Sequence, residues 1–357
     1  MNFKLKSNRF TGLLGGVLLT LPAVGLLSCN LVKEDLDECP PELQPKLELR
    51  FVYDYNMEFA NAFHKQVDCL SAYFFNEDGN LVAVEKVTDS NLLADEAYRM
   101  YPEIEPGKYT VVAYGGMECD QSSFSHINTP VDGLKLTDLH VALDGDCLTE
   151  PDRLRLHNHY YGKAEFTYDA LKDTYATVEL MRNTNSIQIA LQHVNGSEID
   201  HNDFVFEIID DNDHFNHENN LLPTGEITYK PWNTENRSTG TVGSRADGSV
   251  EEREWYAAIA QFTTSRLVHN KGVSTTLKVS KADTGETIFK VPLVNYMLMF
   301  KDGDTTSGAA GMGNQEYLDR ENSWRFVFFL DDSNDNLWVS TRIIVNDWEV
   351  RLNNTDF

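Results

Sequence analysis

Cys29 is the residue whose chemistry is easiest to assign, because it stands where an apolar run ends. Residues 1–10 carry three basic residues and no acid, and residues 11–28 are almost wholly apolar or small. A basic segment followed by an apolar one is the layout of a secretory signal. The run is interrupted by glycines and a proline and is followed by no basic stop-transfer cluster, whereas a membrane-spanning helix needs about 20 apolar residues. The pattern predicts a removable signal.

The tetrad Leu26-Leu27-Ser28-Cys29 is similar to the bacterial lipobox, in which the cysteine thiol is diacylated before the chain is cut in front of it. Acyl chains contribute about 0.8 kcal/mol per buried methylene, so two or three of them hold a soluble domain on a bilayer. Cys29 is therefore predicted to carry a covalent lipid, and no other cofactor is predicted. The alternative is an ordinary signal peptide with a chance cysteine.

Four cysteines remain once Cys29 carries lipid: Cys39, Cys69, Cys119 and Cys147. In an exported chain they can form disulfides, and four cysteines permit three pairings that sequence cannot separate. We favour Cys39 with Cys119, since each lies just outside a strand, at the start and end of the first β region. The alternative of buried free thiols stays open, and Cys69, within a predicted strand, suits it.

No metal site or catalytic constellation is predicted. On a strand, His157 and His159 would share a face and could share a metal, but no third ligand can be placed. The acidic runs at residues 210–220 and 331–336 lack the glycine and terminal Glu of an EF-hand loop and are typical of turns. Phosphate-loop, zinc-protease and serine-hydrolase motifs are absent from the sequence, so we do not predict an enzyme.

Composition limits the class of partner. The chain has 357 residues, with 30 basic against 56 acidic side chains, a net charge of −26. Loss of the three basic signal residues would make this −29. A surface this acidic repels a phosphate backbone, so nucleic acid is excluded as a partner. Apolar residues at 41% are nevertheless enough for real cores.

The elements that would position these residues are short β-strands. From "LELRFVYD" at residues 47–54 onward, runs of β-branched and aromatic residues alternate with Gly, Pro, Asn and Asp, which predicts an all-β fold of sandwiches. All cysteines precede residue 150 and all tryptophans follow residue 230. We therefore predict four parts: a lipoprotein signal peptide at 1–28, an acidic tether at 29–45, an N-terminal β-sandwich at 46–183 and a C-terminal one at 184–357.

Several ordered motifs carry a family resemblance. These are the lipobox cysteine, "EDLDECPP", "FVYDYNMEFANAF", "VDCLSAYFFNEDGNLV", "PGKYTVVAYGG", "HNHYYG", "QEYLDRENSWRFVFFL" and "IIVNDWEV". Together they resemble the fimbrillin-type anchor subunits of Bacteroidales type V pili. The resemblance implies two tandem transthyretin-like β-sandwich domains on a lipid anchor in the outer membrane, exposed at the cell surface, with fimbrial shaft subunits as partners.

The resemblance also implies roles for particular residues. Lys33, Glu34 and Asp35 are similar to an export signal for the outer face, although a solvated spacer explains them equally. In an anchor the first strand, "LELRFVY", is expected to stay attached to Cys29. Two alternatives remain: a shaft or tip fimbrillin, and a surface adhesin that binds glycan or a host protein through exposed tryptophans. The candidate tryptophans for that second role are Trp232, Trp255 and Trp338.

Overall fold

A computed structural model describes residues 45–244, 250–303, 309–345 and 348–353. Its strands are β1 (Leu47–Val52), β2 (Leu70–Asn76), β3 (Leu81–Val87), β4 (Gly107–Gly115), β5 (Phe124–His126), β6 (Val141–Leu143), β7 (Tyr160–Tyr168), β8 (Thr174–Arg182), β9 (Thr184–His193), β10 (Phe204–Asp210), β11 (His214–Phe215), β12 (Ile227–Tyr229), β13 (Asn233–Ser244), β14 (Val250–Ser265), β15 (Thr276–Lys281), β16 (Thr287–Pro292), β17 (Ser323–Asp331), β18 (Leu337–Val345) and β19 (Trp348–Asn353). Its helices are α1 (Phe63–Gln66), α2 (Ser90–Leu93), α3 (Leu293–Gly303) and α4 (Asn314–Arg320).

The strands form two large sheets and two small ones. The first large sheet has the order β1-β8-β7-β4-β2-β3, and the second has the order β13-β14-β9-β17-β18-β19. Pairing is antiparallel except between β1 and β8 and between β9 and β17, which run parallel. The small sheets have the orders β12-β10-β15-β16 and β11-β6-β5.

The first large sheet is buried on both faces, because alternate residues of its central strands belong to different cores. Val111 and Ala113 of β4 lie in a cluster with Phe63 of α1, whereas Val112 and Tyr114 lie in a larger cluster on the other face. Successive residues of a strand point to opposite faces, which explains this division. The three-stranded sheet contributes to the larger cluster.

The second large sheet packs against the four-stranded sheet as a β-sandwich. Ile189 of β9 and Phe328 of β17 lie in the same buried cluster as Ile208 of β10 and Val279 of β15. Phe289 of β16 stacks on Phe328 with ring centroids 4.6 Å apart. The all-β sandwich fold predicted from sequence is confirmed.

Sheet membership changes where the sequence placed a domain boundary. The first large sheet is built from residues 47–182 and the second from residues 184–353. The larger buried cluster nevertheless includes residues from both halves, Tyr73 and Ile187 among them, so apolar contacts continue across this point. The division into four parts stays a prediction.

The pattern misplaced some elements. The run "YRMYPEI" at residues 98–104 has the pattern that predicts a strand, but it forms only a single bridge between Leu49 and Met100. Helix α3 was not predicted, and its residues Leu293, Met297 and Phe300 are buried. A run that is apolar on most sides is equally consistent with a buried strand and a buried helix. In the described part of the chain, no helix is long and apolar enough to cross a membrane.

Candidate functional site

The first strand is the element that best fits an assembly function, because it forms one edge of the first large sheet. Residues Leu47 to Val52 pair in parallel with residues Thr174 to Glu179 of β8. Leu47, Leu49 and Phe51 are each no more than 2% exposed. Burying such a side chain contributes about 1.5–3 kcal/mol, so the three together account for much of the strand's attachment.

Both ends of β1 are held by hydrogen bonds. At its start, the backbone N–H of Lys46 donates to Asp173 Oδ1 at 3.0 Å, and the N–H of Thr174 donates to the Lys46 carbonyl at 2.9 Å. At its end, the backbone N–H of Tyr53 donates to Asn61 Oδ1 at 3.0 Å. Hydrogen bonds at both ends hold the strand in one register.

The outer edge of β1 is partly closed. The N–H of Leu49 donates to the carbonyl of Met100 at 2.9 Å, and the N–H of Met100 donates to the carbonyl of Leu49 at 3.0 Å. Unpaired edges invite another strand, and this bridge blocks the middle of the edge. A second strand could add here only by displacing the segment around Met100.

The segment after β1 contacts the C-terminal half through Arg320 and Asn322, and Asn322 Nδ2 donates to the hydroxyl of Tyr53 at 3.3 Å. The guanidinium of Arg320, at the end of α4, lies 4.0 Å from the ring centroid of Tyr55 and 4.6 Å from that of Phe59. Arg320 Nε also donates to Glu316 Oε1 at 2.9 Å. No sequence pattern indicates this contact, because 261 or more residues separate the partners along the chain.

The disulfide in the structure joins Cys69 to Cys119, with their Cα atoms 6.2 Å apart. This corrects the predicted Cys39–Cys119 pair and the view of Cys69 as a free thiol; Cys39 lies outside the described residues. Between the two cysteines, Gly116 turns the chain after β4 with a φ of 72°, and a Cβ there would lie 1.7 Å from the carbonyl oxygen of Asn158. Cys147 is a buried free cysteine.

The two histidines of "LHNHYYG" do not share a face, because β7 begins only at Tyr160. His159 is 1% exposed and stacks on Phe124 with ring centroids 4.4 Å apart. Neither of its ring nitrogens has a hydrogen-bond partner among the described residues. Burial, with the nearby His126 and His157, lowers the pKa of His159 to about 3.

His157 instead lies beside Asp68 and Cys119, and the donor atoms of the three residues are within 4.8 Å of one another. The disulfide removes the thiolate that a metal would need. His157 Nε2 lies 3.1 Å from Asp68 Oδ1. Although burial acts to raise the pKa of Asp68, the hydrogen bond and charge of His157 and backbone hydrogen bonds outweigh it and lower that pKa.

The acidic run after β10 forms turns and internal ion pairs. Asp210 is fully buried, accepts a hydrogen bond from Thr275 and pairs with Lys271, which also contacts Asp211. These carboxylates are therefore already partnered by a cation of the chain itself.

The three tryptophans proposed for sugar stacking differ in their surroundings. Trp338 is half-buried and packs against the core through Phe289 and Phe328. Trp255 lies against the turn at Gly196. Trp232 lines an open cleft, where the guanidinium of Arg155 lies 4.7 Å from its ring centroid. Of the three, Trp232 is therefore the one placed where a ligand could reach its ring.

The residues assigned to membrane attachment, Cys29, Lys33, Glu34 and Asp35, lie outside the described residues. The structure begins shortly after them, at the segment that leads into β1. Their roles stay predictions.

Comparison with known proteins gives a family and several related structures. The family model of "Fimbrillin-A associated anchor proteins Mfa1 and Mfa2" matches residues 36–354. A candidate adhesin from Bacteroides thetaiotaomicron is 43% identical, with a TM-score of 0.78 over 89% of this chain and 100% of that one. A candidate polysaccharide-binding protein from the same species is 28% identical, with a TM-score of 0.70 over 88% of this chain and 100% of that one.

The fimbrial anchor protein Mfa2 from Porphyromonas gingivalis has the same fold at 16% identity, with a TM-score of 0.58 over 86% of this chain and 99% of that one. No curated protein matches the sequence.

Proposed function

Because the chain belongs to the family of fimbrillin-A associated anchor proteins Mfa1 and Mfa2, its role is associated with fimbriae at the cell surface, and we propose that it is the structural subunit that anchors a fimbrial shaft and limits its length. On this proposal it is an outer-membrane lipoprotein attached through Cys29. The relatives are fimbrial and adhesin proteins, which supports a non-catalytic role.

One observation carries the proposal: β1, the first strand after the tether, is part of the first sheet. Its three inward side chains are buried and both ends are hydrogen-bonded, so a force passed along the chain from Cys29 would act on a strand that is held in the first sheet. A tether of 17 residues between Cys29 and Leu47 reaches about 60 Å at most when fully extended. A fimbria held by the β domains would thus stay close to the membrane.

Shaft attachment would occur by strand addition at an edge that is still open. In the described part of the second large sheet, β13 and β19 are the edge strands. Main-chain hydrogen bonds from an extended segment of the shaft subunit would supply affinity, and alternate side chains would set register. The chain's own last strand pairs with β18, from Ser340 opposite Asn353 to Val345 opposite Trp348, so this segment is already used.

Mass spectrometry of the membrane-bound form tests retention of β1. We expect a mature chain that begins at Cys29 and carries lipid. Recovery of only a chain cut beyond Tyr53 would contradict the anchor and favour a shaft subunit, because it would leave the edge of β8 open for a neighbour's strand.

Gene deletion with electron microscopy tests length control. We expect fimbriae that are longer than in the parent strain and mostly free in the medium. A complementing copy carrying alanine at Lys33, Glu34 and Asp35 separates the export role from the spacer role. Surface protease should no longer reach that variant if the triplet directs export, while a spacer role leaves digestion unchanged.

A further inference from the structure

A concave surface lined by several arginines lies where the two large sheets of this acidic protein meet. A cleft of about 780 Å³ adjoins a smaller one of about 200 Å³, and the two share Arg155, Ser186 and Thr263. Arg182 lines the larger part and Arg325 the smaller part. With Arg153, which also lines the larger part, four guanidinium groups gather in a molecule with 56 acidic and 30 basic side chains.

Arg153 pairs with Asp144 and Asp146, but in the described part of the chain no carboxylate neutralises the other three arginines. Arg182 donates to three neutral oxygens: Thr184 Oγ1 at 3.2 Å, Asn322 Oδ1 at 3.2 Å and Asn158 Oδ1 at 2.6 Å. Within the described residues, Arg155 and Arg325 form no ion pair with a carboxylate. Arg266, by contrast, pairs with Asp319 at 2.7 Å. The acids Asp120 and Asp152 line the larger part as well, next to Arg153.

Arg155 is held over the sheet by its neighbours in the chain. The N–H of Leu156 donates to Thr263 Oγ1 at 2.7 Å, and that hydroxyl donates to the carbonyl of Leu154 at 3.1 Å. This pair of bonds fixes the backbone on both sides of Arg155. The indole ring of Trp232 then supports the guanidinium at 4.7 Å.

Neutral hydrogen-bonding side chains form the floor. Gln261 of β14, Gln188 of β9 and Arg325 of β17 occupy one cross-strand row, because each residue is opposite the next in register. Thr263, Ser186 and Ser323 form the adjacent row. Amide and hydroxyl groups in fixed rows match the hydroxyl groups of a sugar, and an arginine fork matches a carboxylate.

We propose that this cleft binds a short oligosaccharide that carries a sugar carboxylate, with Arg155 and Arg325 contacting the carboxylate and Gln188 and Gln261 contacting hydroxyls. The net negative charge of the molecule repels densely charged polyanions, which favours a ligand with an isolated carboxylate. The polar floor favours a saccharide over an apolar acid. The inference is independent of the anchor role.

An acidic peptide is the competing ligand, and the chain contains one at residues 30–44. That segment joins β1 beside Thr174, whereas the cleft begins at Arg182, eight residues further along β8. The separation is about 27 Å at the rise of a β-strand. A tether that fills the cleft would have to run along the sheet and then return to the membrane, which disfavours it as the occupant.

Calorimetry on the full mature protein with two matched probe pairs tests the proposal. The pairs are a trisaccharide ending in glucuronic acid with its glucose-ended analogue, and 3′-sialyllactose with lactose. We expect one or both acidic probes to bind at least tenfold more tightly than the neutral partner. Arg155→Gln and Arg325→Gln should each weaken that binding about tenfold, since a hydrogen bond to a charged group is lost.

Arg50→Gln is the matched control, because Arg50 is an exposed arginine on β1 and lines neither part of the cleft. Its affinity should equal that of the parent, and thermal melting should show that all three variants fold. The proposal would be overturned if Arg50→Gln lost as much affinity as the cleft variants, or if the neutral probes bound as tightly as the acidic ones. It would also be overturned if no saccharide probe bound at millimolar concentration. So would Arg155-dependent binding of a synthetic peptide of residues 30–44 without binding of any saccharide.

Discussion

At the scale of single residues, the chemistry of this chain depends on contacts that sequence spacing does not encode. The pattern located His157 and His159 but assumed that both lie on a strand, whereas β7 begins after them. The side chain of His157 therefore contacts Asp68, whereas that of His159 packs in the core. No local sequence pattern indicates the contact of Arg155 with Trp232, because the two residues are 77 positions apart.

Buried histidines make stability fall in mild acid. The pKa of His159 is lowered to about 3 and that of His126 to about 4, in both cases chiefly by burial. Below pH 6.5 the unfolded chain takes up protons that the folded chain cannot, so the free energy of unfolding declines as pH falls. Each histidine accounts for about 2 kcal/mol between pH 7 and pH 5.

His159→Phe should flatten this pH dependence by about 2 kcal/mol over the same range. Phenylalanine keeps the stacking against Phe124 and Tyr114 and removes two buried nitrogens that lack partners among the described residues. The free energy of unfolding of the variant at pH 7 should therefore be equal to that of the parent or higher. Denaturant unfolding at pH 7, 6 and 5 measures both effects, and parallel profiles for the parent and the variant would show that His159 titrates normally.

The Cys69–Cys119 bond should stabilise the first sheet. It closes a loop of 50 residues, and cross-links of this size contribute about 2–4 kcal/mol by restricting the unfolded chain. Non-reducing peptide mapping should recover both cysteines in one linked peptide. Replacing both with alanine should lower the unfolding free energy by a similar amount. A linked peptide containing Cys39 and Cys119 would instead restore the pairing predicted from sequence.

At the scale of elements, alternation of apolar and polar residues was enough for most strands. The runs at Leu81–Val87 and Tyr160–Tyr168 coincide with β3 and β7. The failures have physical causes. β13 is rich in Asn, Thr, Ser and Gly and owes its extended form to twelve residues of pairing with β14. α3 is too apolar for its period to be visible, since side chains on most of its faces are buried.

The strand β1 should behave as a separable insert. In a variant with a protease site between the exposed residues Phe59 and Ala60, cleavage should leave β1 bound, because Leu47, Leu49 and Phe51 stay buried. A labelled peptide of residues 46–53 should exchange slowly into the nicked protein. The same peptide carrying Leu49→Asp and Phe51→Asp should not bind the nicked protein. Rapid loss of β1 after cleavage, seen by mass spectrometry of the native protein, would mean that the connection to α1 holds it instead.

At the scale of the whole molecule, residues from both halves share the larger buried cluster, whereas the groups assigned to membrane attachment precede the first strand. The sequence predicted the all-β class of the fold and, through the family resemblance, the family. It did not predict that Arg320 ties the segment after β1 to the C-terminal half, because such a contact depends on how the two sheets dock.

Membrane attachment should be separable from folding. Cys29 lies outside every predicted strand, so Cys29→Ala should remove acylation and leave the β domains folded. Without acyl chains, the variant should leave the membrane fraction and carry attached fimbriae into the medium, since two or three chains supply the bilayer affinity. Fractionation, circular dichroism and electron microscopy measure the three effects.

Cys147→Ala is the control, because it removes a buried thiol more than 100 residues along the chain from the tether and should stay membrane-bound. Cys29→Ala protein that resists carbonate washing, with fimbriae still on the cell, would refute lipid anchoring.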